Sequence, residues 1–353
     1  MITKLSVIKL NNRITQDFLF HSDLNIISGK NGSGKTTLLK LMWYMTSGNW
    51  KYIFDEMDFD YARLDFMDGD FLELIFTEKE NTKFLKINTK SEVPPFPHEI
   101  SLKQLESIDG LVPMWGSLYF PTFRRIEGGY SILNSEGKRS RFSTFNLREA
   151  LDVISTELNK TKHNFITSIS SHDIDFLLTS KYSEISEKVR KLEDEQSKVI
   201  LDIVSKSTNK EKESLESIKA VVRNNDSKKN DILKPISVLS SFVDKIFKNK
   251  SISITGNIKL GDAKEAIYSE KLSSGEKQML SFLCYNFFYD KSIIFIDEPE
   301  LSLHTDWQRL LFPTLLKQNK GNQFIIATHS PFIYSKYPDK EIIINDKRIA
   351  ENA

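Results

Sequence analysis

Between an apolar run, Leu24 to Ser28, and a helical run, Thr36 to Met45, the chain carries GKNGSGKT, Gly29 to Thr36, a full match to the pattern G-x-x-x-x-G-K-[ST]. Strand, glycine-rich loop and helix in that order predict the α/β class, with a mixed sheet and an inserted helical or short coiled-coil arm. The chemistry follows from the residue types. Gly29, Gly32 and Gly34 let the backbone wrap phosphates and turn its N–H groups inward, with Lys30, Asn31 and Ser33 completing the loop. The following helix, opening through Thr36 and Thr37, adds a positive terminus for the anion. Lys35 is placed to reach the β/γ-phosphates, and Thr36 to offer its hydroxyl to Mg²⁺.

A second half of the site stands far along the chain. Ile293 to Ile296 is a short apolar run of the kind that forms a strand buried on both faces, and it ends in Asp297, Glu298 and Pro299. Asp297 is expected to hold the Mg²⁺ shell. Glu298 is expected to orient or deprotonate the attacking water. Another apolar run, Phe324 to Ala327, delivers Thr328, His329 and Ser330 to the same sheet edge. Ahead of both lies LSSGEKQ, Leu272 to Gln278, in which Ser273, Gly275 and Glu276 open a helical run to Tyr289 and make a second anion-binding helix N-terminus. An ordinary N-cap is the bland reading of those residues, and their position ahead of Asp297 is what overrides it.

Together these motifs resemble the ATP-binding-cassette (ABC) type ATPases of the structural-maintenance-of-chromosomes, RecF and overcoming-lysogenisation-defect (OLD) branch. DEPELSLHTDWQ (Asp297 to Gln308), ATHSPF (Ala327 to Phe332) and YFPTFRRIEG (Tyr119 to Gly128) are similar to segments of stand-alone bacterial anti-phage ATPases. The resemblance implies ATP and Mg²⁺ as ligands and His329 as a switch histidine acting with Glu298 and Lys35. It further implies a head-to-tail homodimer or higher homo-oligomer in which Ser273 and Gly275 act on the nucleotide of the partner head. Ser302 and His304 match the D-loop, which crosses that interface in the family. OLD-type relatives carry a nuclease domain after the head, whereas a short stretch, Ser330 to Ala353, follows His329 here. A separate effector, a nuclease or other toxin, is therefore expected. The alternative is a DNA repair or recombination ATPase, with nucleic acid tracked by the helical insertion and by Lys138 to Arg141.

Some positions stay open. No glutamine is assigned to a γ-phosphate-sensing Q-loop; Gln104 is the first glutamine after the loop, in a polar segment. Arg124 and Arg125, after the strand Leu118 to Phe120, read either as phosphate sensors or as a solvated pair. Arg13 and His21 are the candidates for contacting adenine.

At 353 residues with net charge +1, the chain has room for a large domain plus an insertion and lacks the overall basic surface of obligate nucleic-acid binders. Its single cysteine, Cys284, excludes an intrachain disulfide. Without a leader or an apolar run of membrane-spanning length, it reads as cytoplasmic with no membrane partner. From about 146 to 250 the pattern turns helical and polar. Ile185, Val189, Leu192, Gln196, Val199 and Ile203 make a short coiled-coil seam, or one face of an amphipathic helix. The expected division is therefore 1–145 and 251–353 as the two halves of one head, interrupted by a helical insertion at 146–250.

Overall fold

The computed structural model of the chain describes residues 1–79, 82–89, 115–122, 125–126, 153–169, 171–206, 211–247, 251–254, 258–260, 266–268, 271–318 and 321–344. They pack into two compact units, Met1–Ile169 with Tyr289–Ala353, and Ser170–Phe288.

The first unit is built on two sheets. Six strands lie in the order β16 (Glu341–Ile343), β3 (Leu24–Ser28), β15 (Gln323–Ala327), β14 (Ile293–Asp297), β7 (Ser117–Phe120) and β9 (His163–Phe165), every neighbouring pair parallel. All residues of β3, β14 and β15 are buried, which is why they read as continuous apolar runs rather than alternating ones. Because the strands are parallel, the residues after β3, β15, β14 and β7 emerge at one edge of the sheet. The register pairs Asp297 with Ala327 and Ala327 with Ile27.

A five-stranded antiparallel sheet runs β2 (Ile14–Leu19), β1 (Ile2–Leu10), β4 (Tyr61–Phe66), β5 (Phe71–Lys79), β6 (Thr82–Thr89). Buried Gln323 joins the two sheets, since its Oε1 accepts from Ile2 N–H at 2.8 Å and its Nε2 donates to the carbonyls of Ile2 (2.7 Å) and His21 (2.8 Å). A buried amide with three partners costs little to desolvate and fixes one docking register. Helix α1 (Lys35–Ser47) is apolar nearly all round, with Leu38, Leu39, Leu41, Met42, Trp43, Tyr44 and Met45 buried. It packs on β7, β14 and β15. Such a helix has no solvent face to rotate towards, so its N-terminus is held against the sheet edge. Helix α2 (Trp50–Glu56) follows, and the pair β8 (Arg125–Ile126) and β10 (Ser168–Ile169) completes the described strands of this unit.

The second unit holds two long helices, α3 (Ser171–Lys206) and α4 (Glu211–Phe247), packed on each other and tied by Lys229 Nζ to Glu193 Oε1 at 2.6 Å. Helix α5 (Ser274–Phe288) packs against both, and β12 (Ile258–Leu260), β11 (Ser251–Ile254) and β13 (Ala266–Tyr268) form a three-stranded sheet. The expected seam lies on α3 at Ile185, Val189, Leu192, Gln196 and Ile203 and misses only at Val199. Val199 is 46% exposed, and the half-buried positions are Ile200 and Ile203. A straight helix turns by 3.6 residues, so a 3.5-residue seam drifts off its face within a few turns.

The two units also divide the chain differently from the expected boundaries at 145 and 250. Residues 153–169 belong with the first unit because β9 pairs with β7, and 251–288 belong with the helices because α5 packs on α3 and α4.

Candidate functional site

The loop after β3 owes its shape to two glycines. At Gly29 (φ +150°) a Cβ would stand 2.9 Å from Ser33 Oγ, and at Gly34 (φ +93°) it would stand 2.8 Å from Ile14 Cδ1. Any side chain there would both strain the backbone and fill the cradle. Lys30, Asn31 and Gly32 are exposed at its tip, while Thr36 and Thr37 form the first turn of α1. Lys35 Nζ donates to the carbonyls of Gly29 (3.0 Å) and Lys30 (3.2 Å) and lies 2.7 Å from His329 Nε2. An ammonium group can only donate, so His329 accepts at Nε2 and carries its proton on Nδ1. Burial, together with the Lys35 charge, lowers the His329 pKa and keeps the ring neutral. Burial likewise lowers the pKa of Lys35, against the opposing pull of Glu298, Asp297 and Glu300.

Asp297 ends β14 fully buried, and its carboxylate accepts from Thr36 Oγ1 (2.9 Å to Oδ2) and from Thr122 Oγ1. Two hydroxyls converge on one carboxylate. Oxygen groups of that kind at a P-loop fit Mg²⁺. Glu298 adopts a left-handed backbone, φ +50°, with its N–H donating to Ala327 O at 2.8 Å. This conformation is costly for a glutamate and turns its side chain towards His329, whose Nε2 lies 3.5 Å from Glu298 Oε1. Burial foremost, then the hydrogen bond and charge of Glu300 and the charge of Asp297, push its pKa up to about 8.

Lys35, Thr36, Asp297, Glu298 and His329 thus meet at one sheet edge, and Gly29 to Gly34 frame it. Ser273, Gly275 and Glu276 lie in the second unit. There Ser273 N–H donates to Glu276 Oε2 at 2.8 Å and Glu276 N–H to Ser273 Oγ at 3.3 Å. This reciprocal capping box contributes about 1 kcal/mol to α5 and occupies the Glu276 carboxylate, which was expected among the nucleotide-contacting residues. Of the two adenine candidates, Arg13 joins the loop, its Nη1 donating to Gly32 O at 3.2 Å. His21 does not, because it precedes β3 and lies 3.2 Å from Asp339 O at the strand's opposite end. Gln104 and Arg124 lie outside the described residues, and Arg125 is in β8.

Thr122 and Glu300 are the site residues that motif reading missed. Thr122 follows β7 as Asp297 ends β14, so a hydroxyl just past an apolar strand was the available signal. Thr122→Val keeps the shape and removes the hydroxyl. It should raise the Mg²⁺ needed for half-maximal nucleotide binding by about 10- to 100-fold, as losses of supporting groups at metal sites do. An unchanged Mg²⁺ titration would remove Thr122 from the site.

Comparison with known proteins agrees with this geometry. The family described as "AAA domain, putative AbiEii toxin, Type IV TA system" matches residues 24–335. The chain is 33% identical over 82 residues to endonuclease GajA of Bacillus cereus (strain VD045), a stretch covering 22% of this chain and 14% of that protein. It is 36% identical over 74 residues to the retron Ec83 probable ATPase of Escherichia coli, covering 17% of this chain and 14% of that protein. These matches therefore span a small part of each relative's length. Among solved structures it is similar to the recombination mediator RecF bound to an ATP analogue (TM-score 0.40, 15% identity, 98% of each chain). It is also similar to an Smc head domain with an extended coiled coil from Pyrococcus furiosus (TM-score 0.42, 13% identity, 99% of this chain and 98% of that one). With the P-loop, Asp297, Glu298 and His329 gathered at one edge of a parallel sheet, and with the match running from Leu24 to Ser335, the chain belongs to this AAA-domain family.

Proposed function

We propose that the chain is a Mg²⁺-dependent ATP hydrolase whose heads pair around ATP, and whose closing and opening govern a separate effector, a nuclease or other toxin, in anti-phage defence. The observation that supports it best is the set Lys35, Asp297, Glu298 and His329 at a single sheet edge, with a second capped helix N-terminus, at Ser273, on another unit of the chain. A chain with one P-loop and one such terminus holds half of each of two sites, and a second copy supplies the missing halves.

The residues divide the work by their chemistry. Backbone N–H groups from Gly29 to Gly34 and the N-terminus of α1 would hold the phosphates, and the Lys35 ammonium would face the β/γ oxygens. Thr36 and Asp297, with Thr122 beside them, would hold Mg²⁺, whose chemistry is to neutralise the charge on those oxygens. Glu298 would take the proton of the attacking water, and His329 would steady that geometry from the other side. ATP between two heads adds contacts only in the closed state, so it shifts the population towards closure, and its hydrolysis releases them. The defence setting rests on the likeness to anti-phage ATPases and on relatives named as an endonuclease and a retron ATPase. No described residue favours the DNA-repair reading; Lys138 to Arg141 lie outside the described set.

The test is complementation in trans. Lys35→Ala chains mixed with Ser273→Arg chains produce mixed dimers with one doubly damaged site and one intact site. Each parent should be inactive, and random pairing of equal amounts should restore up to about a quarter of wild-type turnover. No recovery despite demonstrated heterodimers would overturn the shared site.

A further inference from the structure

Glu300, whose hydrogen bond and charge already bear on Glu298, is also the residue to which the loop bearing His329 is fastened. Its Oε1 accepts the backbone N–H of His329 at 2.8 Å, and its Oε2 accepts the hydroxyl of Thr328 at 2.8 Å. Thr328 Oγ1 in turn accepts Ser330 N–H at 2.9 Å. From the other side Gln308, on helix α6 (Thr305–Lys317), accepts Ser330 Oγ–H at 2.6 Å while its Nε2 donates to Leu303 O at 2.8 Å. Two side chains therefore lace residues 300–303 to residues 328–330. The Glu300 link is the stronger, being charge-assisted and two-pronged.

Part of the laced segment is exposed, although Leu303 within it is buried. Leu301 is 39% exposed, Ser302 sits at φ +65° and His304 projects into solvent as the cap of α6. A turn so placed is open to whatever packs against this face, and its tether ends on the residue that touches Lys35 and Glu298.

We propose that Glu300 is a positioning residue that carries the position of the 301–304 turn to His329, so that packing against the turn sets where the imidazole stands between Lys35 and Glu298. The inference rests on the ATPase reading above and, for the occupant of the turn, on a second copy of this chain. Among the described residues Glu300 makes no hydrogen bond to Lys35 or to the P-loop carbonyls, so its loss should leave nucleotide binding alone and act on turnover, through His329 and through the Glu298 it also meets.

Two variants and two readouts decide it. Glu300→Ala removes both bonds. Glu300→Gln keeps an acceptor for His329 N–H and can donate its amide to Thr328 Oγ1. Alanine should lower kcat by about 10- to 100-fold, the equivalent of one charged hydrogen bond, with the KM for ATP held within about twofold, and glutamine should restore most of the rate. In the nucleotide-free full-length protein, hydrogen exchange at the His329 amide should accelerate by about 10- to 100-fold in the alanine variant and stay near wild type in the glutamine variant. Should the alanine variant melt far below wild type, Thr328→Val, which removes one prong without changing shape, takes its place with a smaller expected effect in the same direction. Unchanged kcat and unchanged exchange would overturn the proposal, as would a loss expressed only in KM. A wild-type chain that neither binds nor hydrolyses ATP would instead overturn the ATPase reading, and the exchange measurement alone would then decide whether Glu300 holds the loop.

Discussion

Glu298→Gln is expected to bind ATP normally and to hydrolyse it about 10²- to 10⁴-fold more slowly, the range that a positioned general base contributes. The amide keeps the volume and the left-handed turn but cannot accept the proton of water. ATP-bound dimers should accumulate and be visible by sizing in the presence of Mg²⁺ and ATP; rapid turnover by this variant would refute the assignment. The same residue sets a pH signature. With its pKa near 8 in the folded chain, Glu298 is mainly protonated at neutral pH, so wild-type kcat/KM should climb with pH up to about 8, and that limb should vanish in the variant. Stability moves the opposite way. The folded-state value lies above the ordinary 4.5, so the folded chain holds the proton more tightly than the unfolded chain between about 4.5 and 8. The group costs nothing below that window, and the cost grows through it and is complete above it. Glu298→Gln should therefore melt with the wild type at pH 4.5 and above it at pH 9, in nucleotide-free buffer.

Lys35→Ala should abolish hydrolysis within detection and weaken ATP binding. It removes the cation that faces the β/γ-phosphates and the donor that fixes the His329 tautomer. Loss of one preorganised donor at developing charge costs on the order of 10²- to 10³-fold, and Lys35 supplies a full positive charge besides. His329 makes the two losses separable. In the variant its Nε2 loses the ammonium, so the imidazole pKa should rise from its lowered value, which is measurable by NMR titration. Unimpaired turnover would sink the P-loop assignment.

The parts of this molecule that were legible in the sequence are those where one local rule decides the outcome. Leu24–Ser28, Ile293–Asp297 and Gln323–Ala327 are short runs with no room for alternation, and a strand buried on both faces is the answer to that pattern. Each is followed by polar residues, and parallel pairing brings those residues to one edge. What escaped was written at long range. Thr122 belongs to the site through a carboxylate 175 positions away, and Gln323 looks out of place in a buried strand until Ile2, 321 positions away, supplies its partners. Arg13 became a loop residue and His21 did not, because the turn between β1 and β2 places the Arg13 side chain against Gly32, whereas His21 stands at the other end of β3. The boundaries at 145 and 250 followed composition, which registers polarity but cannot register that α5 packs on the long helices. Val199 was assigned to the seam on a strict heptad count, and the helix does not keep that count.

Strand order has a further consequence, for the time at which this protein first exists as a nucleotide binder. Both neighbours of β3 in its sheet, β15 and β16, come from beyond residue 322. While the ribosome is still making the middle of the chain, the strand that presents the P-loop has no partner to hydrogen-bond, and the loop has no sheet edge to stand on. Pairings of such sequence separation form late, since the chain must close a loop of some three hundred residues before any contact rewards it. A polypeptide that ends before residue 323 therefore carries the entire GKNGSGKT motif without the neighbouring strands that hold β3 in its sheet. The nucleotide cradle is thus assembled only after the strands beyond residue 322 have been made.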